Sequence, residues 1–279
     1  MNYYSPKEIA DISIQKGLEK VNLSNLSLAV LGFLGGAYIA FGFLAYIRVT
    51  GTMPHEWGSL VTFLGAAVFP VGLVLILLGG GELLTGNMMT VSMAYFAKKI
   101  KLFQLIRNWL LIALFNMLGA LFVAYFFGHF VGLTEGAFLE KTVSTALTKV
   151  KDPFWVAFVS GIGCNWLVAM AVWLCYGAKD SFGKILAIWI PIMTFVLIGF
   201  QHVVANMFII SAAIFSENLS WTELLLNIIP VFLGNAIGGA IFVSFLYFLA
   251  YKKDDVKIEG RSVEEDRRKI GKYYGDTSK

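Results

Sequence analysis

The chain is predicted to be an all-α membrane protein, with six transmembrane helices arranged as two inverted three-helix repeats and with the second and fifth helices broken. Three observations predict this. Of its 279 residues 58% are hydrophobic and only 14% charged, whereas a soluble domain is about half apolar and about a quarter charged. Apolar runs of about 20 residues, the length that crosses a bilayer, recur along the chain. The chain also matches itself at an offset of 119 residues. The 24 Phe, 7 Trp and 28 Gly belong to the same class, because aromatics anchor at membrane interfaces and glycine lets helices approach closely in lipid.

The elements follow in order. Residues 1–25 hold an interfacial helix: Ser5-Pro6-Lys7-Glu8 supplies the N-cap, N1 proline and N3 acid of a capping box, and Ala10, Ile14, Leu18 and Val21 form an apolar stripe. This segment lacks a compact apolar core before a small-residue cleavage site, so no cleaved signal peptide is expected. Residues 26–251 form the transmembrane domain, with spans near 26–47, 59–96, 107–131, 154–177, 184–215 and 224–251. The second and fifth are too long for one straight crossing. Each is interrupted, by "GGGELLTGN" at 79–87 and by "GFQHVVAN" at 199–206. Residues 252–279 are charged and mixed in sign, which reads as a solvated tail. Eighteen of the 22 Lys and Arg residues fall on the side of the two termini, so a multi-pass protein of the inner or plasma membrane with both termini cytoplasmic is expected.

At the offset of 119 residues Gly80 meets Gly199, Glu82 meets Gln201, Asn87 meets Asn206 and Ser92 meets Ser211, while Asn116 meets Asn235 and Gly119 meets Gly238. A repeat of three spans is odd in number, so its copies cross the membrane in opposite directions. Proteins built this way place the pathway between the halves and use the breaks to present polar groups near the midplane. Broken backbone in a bilayer is tolerated only where protein or a water-filled cavity surrounds it.

Several residues carry the chemistry, each with a plainer alternative. His202 is the ionisable group of the second break and either bonds across a helix interface or serves the pathway. Thr85 either satisfies a backbone carbonyl or stands opposite His202 and shares a ligand. Asn165 and Asn206 are helix–helix glue or hold the break and His202 in place. Glu82, with its repeat partner Gln201, is read as stabilising its loop by gathering backbone N–H groups. Phe69, Leu83 and Phe195 are core residues or hydrophobic constrictions. Lys149 either snorkels or turns into the pathway and draws anions inward. Cys164 and Cys175 lie about 16 Å apart along a helix, too far to bridge. With three histidines and no CxxC or P-loop in the chain, neither a metal, a cofactor nor a nucleic-acid partner is expected.

"LLGGGELLTG" at 77–86, "GIGCNWLVAMA" at 161–171 and "GFQHVVANMF" at 199–208 resemble the signature segments of the formate/nitrite transporter family. The resemblance covers about 26–251. It implies a homopentamer of aquaporin-like protomers, each with its own pore for a small monovalent anion. It also implies Thr85 and His202 as the central pair, supported by Asn165 and Asn206, with Lys149 attracting the anion and Phe69, Leu83 and Phe195 lining constrictions. Leu84 stands where Phe or Ile is usual, Ala169 where Cys is common, and Gln201 where formate channels carry Glu. That combination is most similar to the hydrosulfide channel branch. A channel for hydrosulfide, with formate and nitrite also permeant, is therefore the first expectation, and a formate/nitrite channel the second. A neutral-solute channel of aquaporin type would need Asn-Pro-Ala at both breaks, and a membrane enzyme would need a nucleophile or carboxylate partner near His202.

Overall fold

The computed structural model describes residues 3–253, so the expected tail lies outside the described residues except for Lys252 and Lys253. It is all helical: α1 (Pro6–Val21), α2 (Asn25–Thr50), α3 (Ser59–Gly80), α4 (Leu84–Phe96), α5 (Leu102–Phe130), α6 (Leu139–Val150), α7 (Phe154–Gly177), α8 (Ser181–Ile198), α9 (Val203–Phe215) and α10 (Trp221–Tyr251). Six of these, α2, α3, α5, α7, α8 and α10, are long and apolar enough to cross a membrane. The helices α4 and α9 have 13 residues each, about 20 Å at 1.5 Å per residue, and reach only part of the way across a core of about 30 Å. They are the second limbs of the two broken helices.

The breaks are the same structure made twice. Gly80 (φ 105°) and Gly199 (φ 88°) end the first limbs in the left-handed region, where glycine alone carries no Cβ penalty. A short extended stretch then leads to Leu83 (φ −110°, ψ 127°) and His202 (φ −109°, ψ 120°), the N-caps of α4 and α9. The far ends match too. Lys98 (φ 57°) and Glu217 (φ 61°), again 119 residues apart, are left-handed without being glycine. Their amides bond Tyr95 O and Ile214 O at 2.9 Å each, and the amides of Lys99 and Asn218 bond Ala94 O at 3.0 Å and its counterpart Ala213 O at 2.9 Å.

Close backbone contact locks each half. A Cβ at Gly36 in α2 would collide with the carbonyl of Asn116 in α5, and one at Gly119 in α5 with the carbonyl of Phe33 in α2. In the second half Gly234 and Gly238 of α10 meet the carbonyls of Phe158 and Ile162 in α7 in the same way. Outward faces are apolar, as on α5, where Leu110, Leu114 and Leu118 are exposed at successive turns.

The capping box of α1 is present, with Ser5 N donating to Glu8 Oε2 at 2.7 Å and Ser5 Oγ accepting from Glu8 N at 3.4 Å. Ala10 and Val21 of the expected stripe are buried, but the buried face also takes in Ile9, Ser13 and Gly17, while Ile14 and Leu18 are only partly buried. The reason is that α1 lies on protein: Gly17 lets it sit against the Thr90 carbonyl of α4. Lys252 at the end of α10 pairs with Asp11 of α1 at 2.7 Å. Cys164 and Cys175 are both free and buried.

Gly36→Ala is expected to destabilise the protomer by about 1–3 kcal/mol through overpacking. Thermal unfolding in detergent would show it as a lowered midpoint, and an unchanged midpoint would mean that α2 and α5 are not locked at this contact.

Candidate functional site

Where a helix breaks inside the bilayer, its freed backbone groups need partners. Two asparagines supply them. Asn116 Nδ2 donates to Gly32 O (2.7 Å) and Glu82 O (2.8 Å), while its Oδ1 accepts from Leu84 N (2.9 Å). Asn235 Nδ2 donates to Gly161 O (2.8 Å) and Gln201 O (3.1 Å), and its Oδ1 accepts from Val203 N (2.9 Å). A second layer repeats the symmetry. Asn87 Nδ2 donates to Glu82 Oε2 (2.7 Å) and Asn108 Oδ1 (3.0 Å), and Asn206 Nδ2 to Gln201 Oε1 (2.6 Å) and Asn227 Oδ1 (2.8 Å).

This arrangement corrects the expected role of Glu82. Its carboxylate gathers no loop amides, because Glu82 N already bonds Leu31 O and Leu84 N is taken by Asn116. It accepts instead from Asn87 and from Lys20 Nζ of α1, at 2.6 Å. Burial alone would pull the Lys20 ammonium down, but the Glu82 charge and hydrogen bond outweigh it and hold Lys20 above the ordinary lysine range. Gln201 ties its break to the α6–α7 turn: its N donates to Ser160 Oγ (3.0 Å), and its Nε2 to Lys149 O (3.0 Å) and Asp152 Oδ2 (2.7 Å). Asn206 holds Gln201 rather than His202. Asn165 joins the two halves, with Nδ2 donating to Asn235 O (2.6 Å) and Thr85 O (3.3 Å).

His202 and Thr85 meet at the centre. Ala205 N donates to His202 Nδ1 (3.1 Å), so the bonding pattern assigns the hydrogen to Nε2. That nitrogen lies 2.9 Å from Thr85 Oγ1. Thr85 then accepts from the imidazole and keeps its own O–H to donate. The imidazole stacks on Phe195, with ring centroids 5.7 Å apart and planes at 24°. Leu83 and His202, the two N-caps, line one small void of about 10 Å³ together with Phe69, Phe195 and Val168. The positive ends of two half-helix dipoles therefore converge on it.

On one side of this void lies a vestibule of about 360 Å³. Lys141, Ser144, Thr145, Thr148 and Lys149 line it from one face of α6, and Phe69 and Phe195 form its floor edge to face at 5.7 Å. Lys149 Nζ donates to Gly199 O (3.0 Å) and Phe200 O (3.5 Å) at the end of α8. Burial pushes this ammonium below the ordinary lysine range. On the other side, beyond Leu83, a second void of about 10 Å³ is bordered by Lys20, Asn87, Thr90 and Tyr176. A void of this size holds about one water. His202 borders both the vestibule and the central void, so the order along the path is Lys149, then Phe69, Phe195 and His202, then Leu83 and Lys20, with Thr85 lining none of these spaces and joined to the path through His202 Nε2.

Sequence reasoning missed Lys20, Thr90, Tyr176, Asp152, Asn108 and Asn227, and noted Asn116 and Asn235 only as repeat partners. Asn108 and Asn227 are themselves 119 residues apart, so the offset could have found them.

The profile of the family described as "Formate/nitrite transporter" matches residues 7–249. The chain belongs to the formate/nitrite transporter family. It is 58% identical over 256 residues to the transporter YrhG of Bacillus subtilis, covering 91% of this chain and 96% of that one. To the formate channel BtFdhC of Bacillus thuringiensis it is 56% identical over 253 residues, covering 91% and 98%. A solved structure titled "Pentameric formate channel with formate bound" superposes with a TM-score of 0.69 at 27% identity, covering 82% of this chain and 98% of that one. As a member of this family the chain is an anion channel or transporter with the aquaporin-like fold and not an enzyme.

Asn235→Ala would leave Val203 N and Gln201 O without their partner, while Gly161 O, inside α7, keeps its helical bond. At about 1–3 kcal/mol per orphaned group, the variant is expected to lose several kcal/mol and most of its assembled yield. Size-exclusion chromatography in detergent measures this, and wild-type recovery would show that the second break does not depend on Asn235.

Proposed function

We propose that this protein is a formate channel, with Thr85 and His202 as its central anion-binding pair. The observation that carries the reading is the pair of donors at the centre. Nε2–H donates to Thr85 Oγ1 and leaves the Thr85 O–H to donate, at the meeting point of two helix N-termini, where a small anion that accepts from the Thr85 hydroxyl, or replaces Thr85 as the imidazole's acceptor, gains a hydrogen bond and dipole stabilisation together. A bare anion crossing the apolar floor would otherwise carry a desolvation cost of several kcal/mol or more. Asn165 supports the pair through the Thr85 carbonyl, and Asn206 through Gln201 and the break.

Whole-chain likeness to a formate channel favours formate over hydrosulfide. The expectation of hydrosulfide rested on Leu84, Ala169 and Gln201, and none of these lines the vestibule or either void. All three are buried in the surrounding packing. Hydrosulfide and nitrite, also small and monovalent, remain permeant candidates for the same donors. We further propose a homopentamer, as in the related formate channel, with one pore per protomer because vestibule, centre and inner void all lie within a single chain. The charge distribution supports cytoplasmic termini, which puts Lys149 on the outer face and Lys20 on the inner one.

Passage requires Phe69 and Phe195 to part, since their rings close the vestibule floor. His202 acts in this scheme as a hydrogen-bond donor. Its Nδ1 is engaged in capping α9, so taking up a further proton there would first break the cap.

Stopped-flow assays on proteoliposomes are expected to show formate flux exceeding that of hydrosulfide and nitrite, with no glycerol flux. Dominant hydrosulfide flux would restore the first expectation. His202→Asn keeps both a cap and a donor and should stay within about tenfold of wild type, with an unchanged pH profile. His202→Phe keeps neither and should lose at least about tenfold, the worth of a charge-assisted hydrogen bond of ~1.5–3 kcal/mol. A pH profile altered by His202→Asn would instead make the imidazole a proton relay.

A further inference from the structure

The two breaks repeat the same backbone dihedrals and the same asparagine contacts, yet within them a formal charge present in one is missing from the other. Glu82 in the first break and Gln201 in the second are 119 residues apart and make the same asparagine contacts, to Asn87 and to Asn206. Each break also has a lysine nearby. In the first half the lysine is neutralised: Lys20 Nζ sits 2.6 Å from Glu82 Oε1 in a buried ion pair. In the second half it is not. Gln201 Oε1 is occupied by Asn206 (2.6 Å) and Asn227 (3.3 Å), and its Nε2 is directed to Lys149 O and Asp152 Oδ2.

Lys149 Nζ therefore takes neutral partners, the carbonyls of Gly199 and Phe200. These fix its position without a contacting carboxylate, and among the described residues it is in no ion pair. The nearby carboxylate, Asp152, attracts Lys149 electrostatically but forms no ion pair with it, and its Oδ2 accepts from the Gln201 amide instead. Lys141 lines the same vestibule, with Nζ 5.6 Å from the Tyr46 ring centre and likewise in no ion pair among the described residues. The vestibule thus presents two ammonium groups and the hydroxyls of Ser144, Thr145 and Thr148, while the opposite void presents a lysine already paired.

We infer that Gln201 makes anion capture one-sided: by standing where its repeat partner is a carboxylate, it leaves the Lys149 charge unpaired at the vestibule floor, so anions saturate the channel at lower concentration from the Lys149 face than from the Lys20 face. This rests on the reading of the protein as an anion channel and assigns Gln201 as a positioning residue. A low-dielectric cleft lined by one sign of charge concentrates counter-ions by tenfold or more, whereas a paired lysine contributes little.

The test compares half-saturation for formate from each face, using right-side-out and inside-out vesicles. A protease-cleavable tag at the C-terminus reports the Lys20 face, because α10 ends beside α1. In the wild type, half-saturation from the Lys149 face is expected to be about tenfold lower than from the other. The charge-conserving double variant D152N/Q201E moves the carboxylate to the equivalent of Glu82. It should bring Lys149 into an ion pair, raise half-saturation on that face by about tenfold and leave the Lys20 face at its wild-type value. No change on the Lys149 face in an assembled D152N/Q201E protein overturns the inference. Should that variant fail to assemble, wild-type protein still decides: raised ionic strength weakens capture from the Lys149 face and spares the other, and equal salt dependence of both faces overturns the inference. Absence of formate flux in the wild type overturns the substrate assignment instead, and the same two-face comparison is then read with hydrosulfide or nitrite.

Discussion

Everything at the centre of this protein depends on satisfying two short stretches of non-helical backbone inside a hydrocarbon environment. Lipid offers neither donor nor acceptor, and each unpartnered peptide group there costs several kcal/mol. Asn116 and Asn235 meet this constraint with the same three hydrogen bonds each. A side-chain amide suits the task because it carries two donors and an acceptor without a charge. Once the breaks are held, the first turns of α4 and α9 are free to aim at each other. The breaks are not faults in two long helices but the means by which two N-termini reach the same small void.

That geometry shapes how an anion can pass. The vestibule floor is aromatic and the space beyond it holds about one water, so a solute meeting it loses its hydration. Compensation has to be local and already in place. The imidazole is oriented by its cap to Ala205 and by stacking on Phe195, and Thr85 is oriented by His202 and by Asn165 on its carbonyl. These supports are all buried. Donors held in this way stabilise an arriving negative charge with little reorganisation, which is why a neutral pair can serve where a buried cation would bind too tightly to release.

Symmetry also shows where the two halves serve different ends. The glycine hinges, the N-cap dihedrals and even the strained Lys98 and Glu217 repeat at one offset, so these positions answer to backbone geometry. Side chains depart from it. Leu83 and His202 are equivalent N-caps, yet only the second can accept from the helix and donate across the pore. Glu82 and Gln201 share their asparagine partners but not their charge. What the fold requires is duplicated, and what the function requires is placed once.

Much of this was legible in the chain. The six spans followed from apolar length, the inverted halves from an odd-numbered repeat, and the pairing of Thr85 with His202 from resemblance to known signature segments. Patterns of that kind survive in one dimension because the bilayer imposes its thickness on every span and a duplication leaves its offset behind. The rest needed three dimensions. Lys20 reads as an ordinary surface lysine of an amphipathic helix, and only the docking of α1 on α4 brings it to Glu82. Glu82 reads as a loop brace until Leu31 O and Asn116 Oδ1 are found holding the amides of Glu82 and Leu84. Gln201 suggested a substrate by its identity, whereas its contacts turn it towards Asp152 and away from the path. The sequence by itself determined which residues could bear the chemistry, since composition, length and period are properties of the chain. Which charges cancel and which stay free was decided only by the tertiary structure, because an ion pair depends on a few ångströms of separation between segments far apart in sequence.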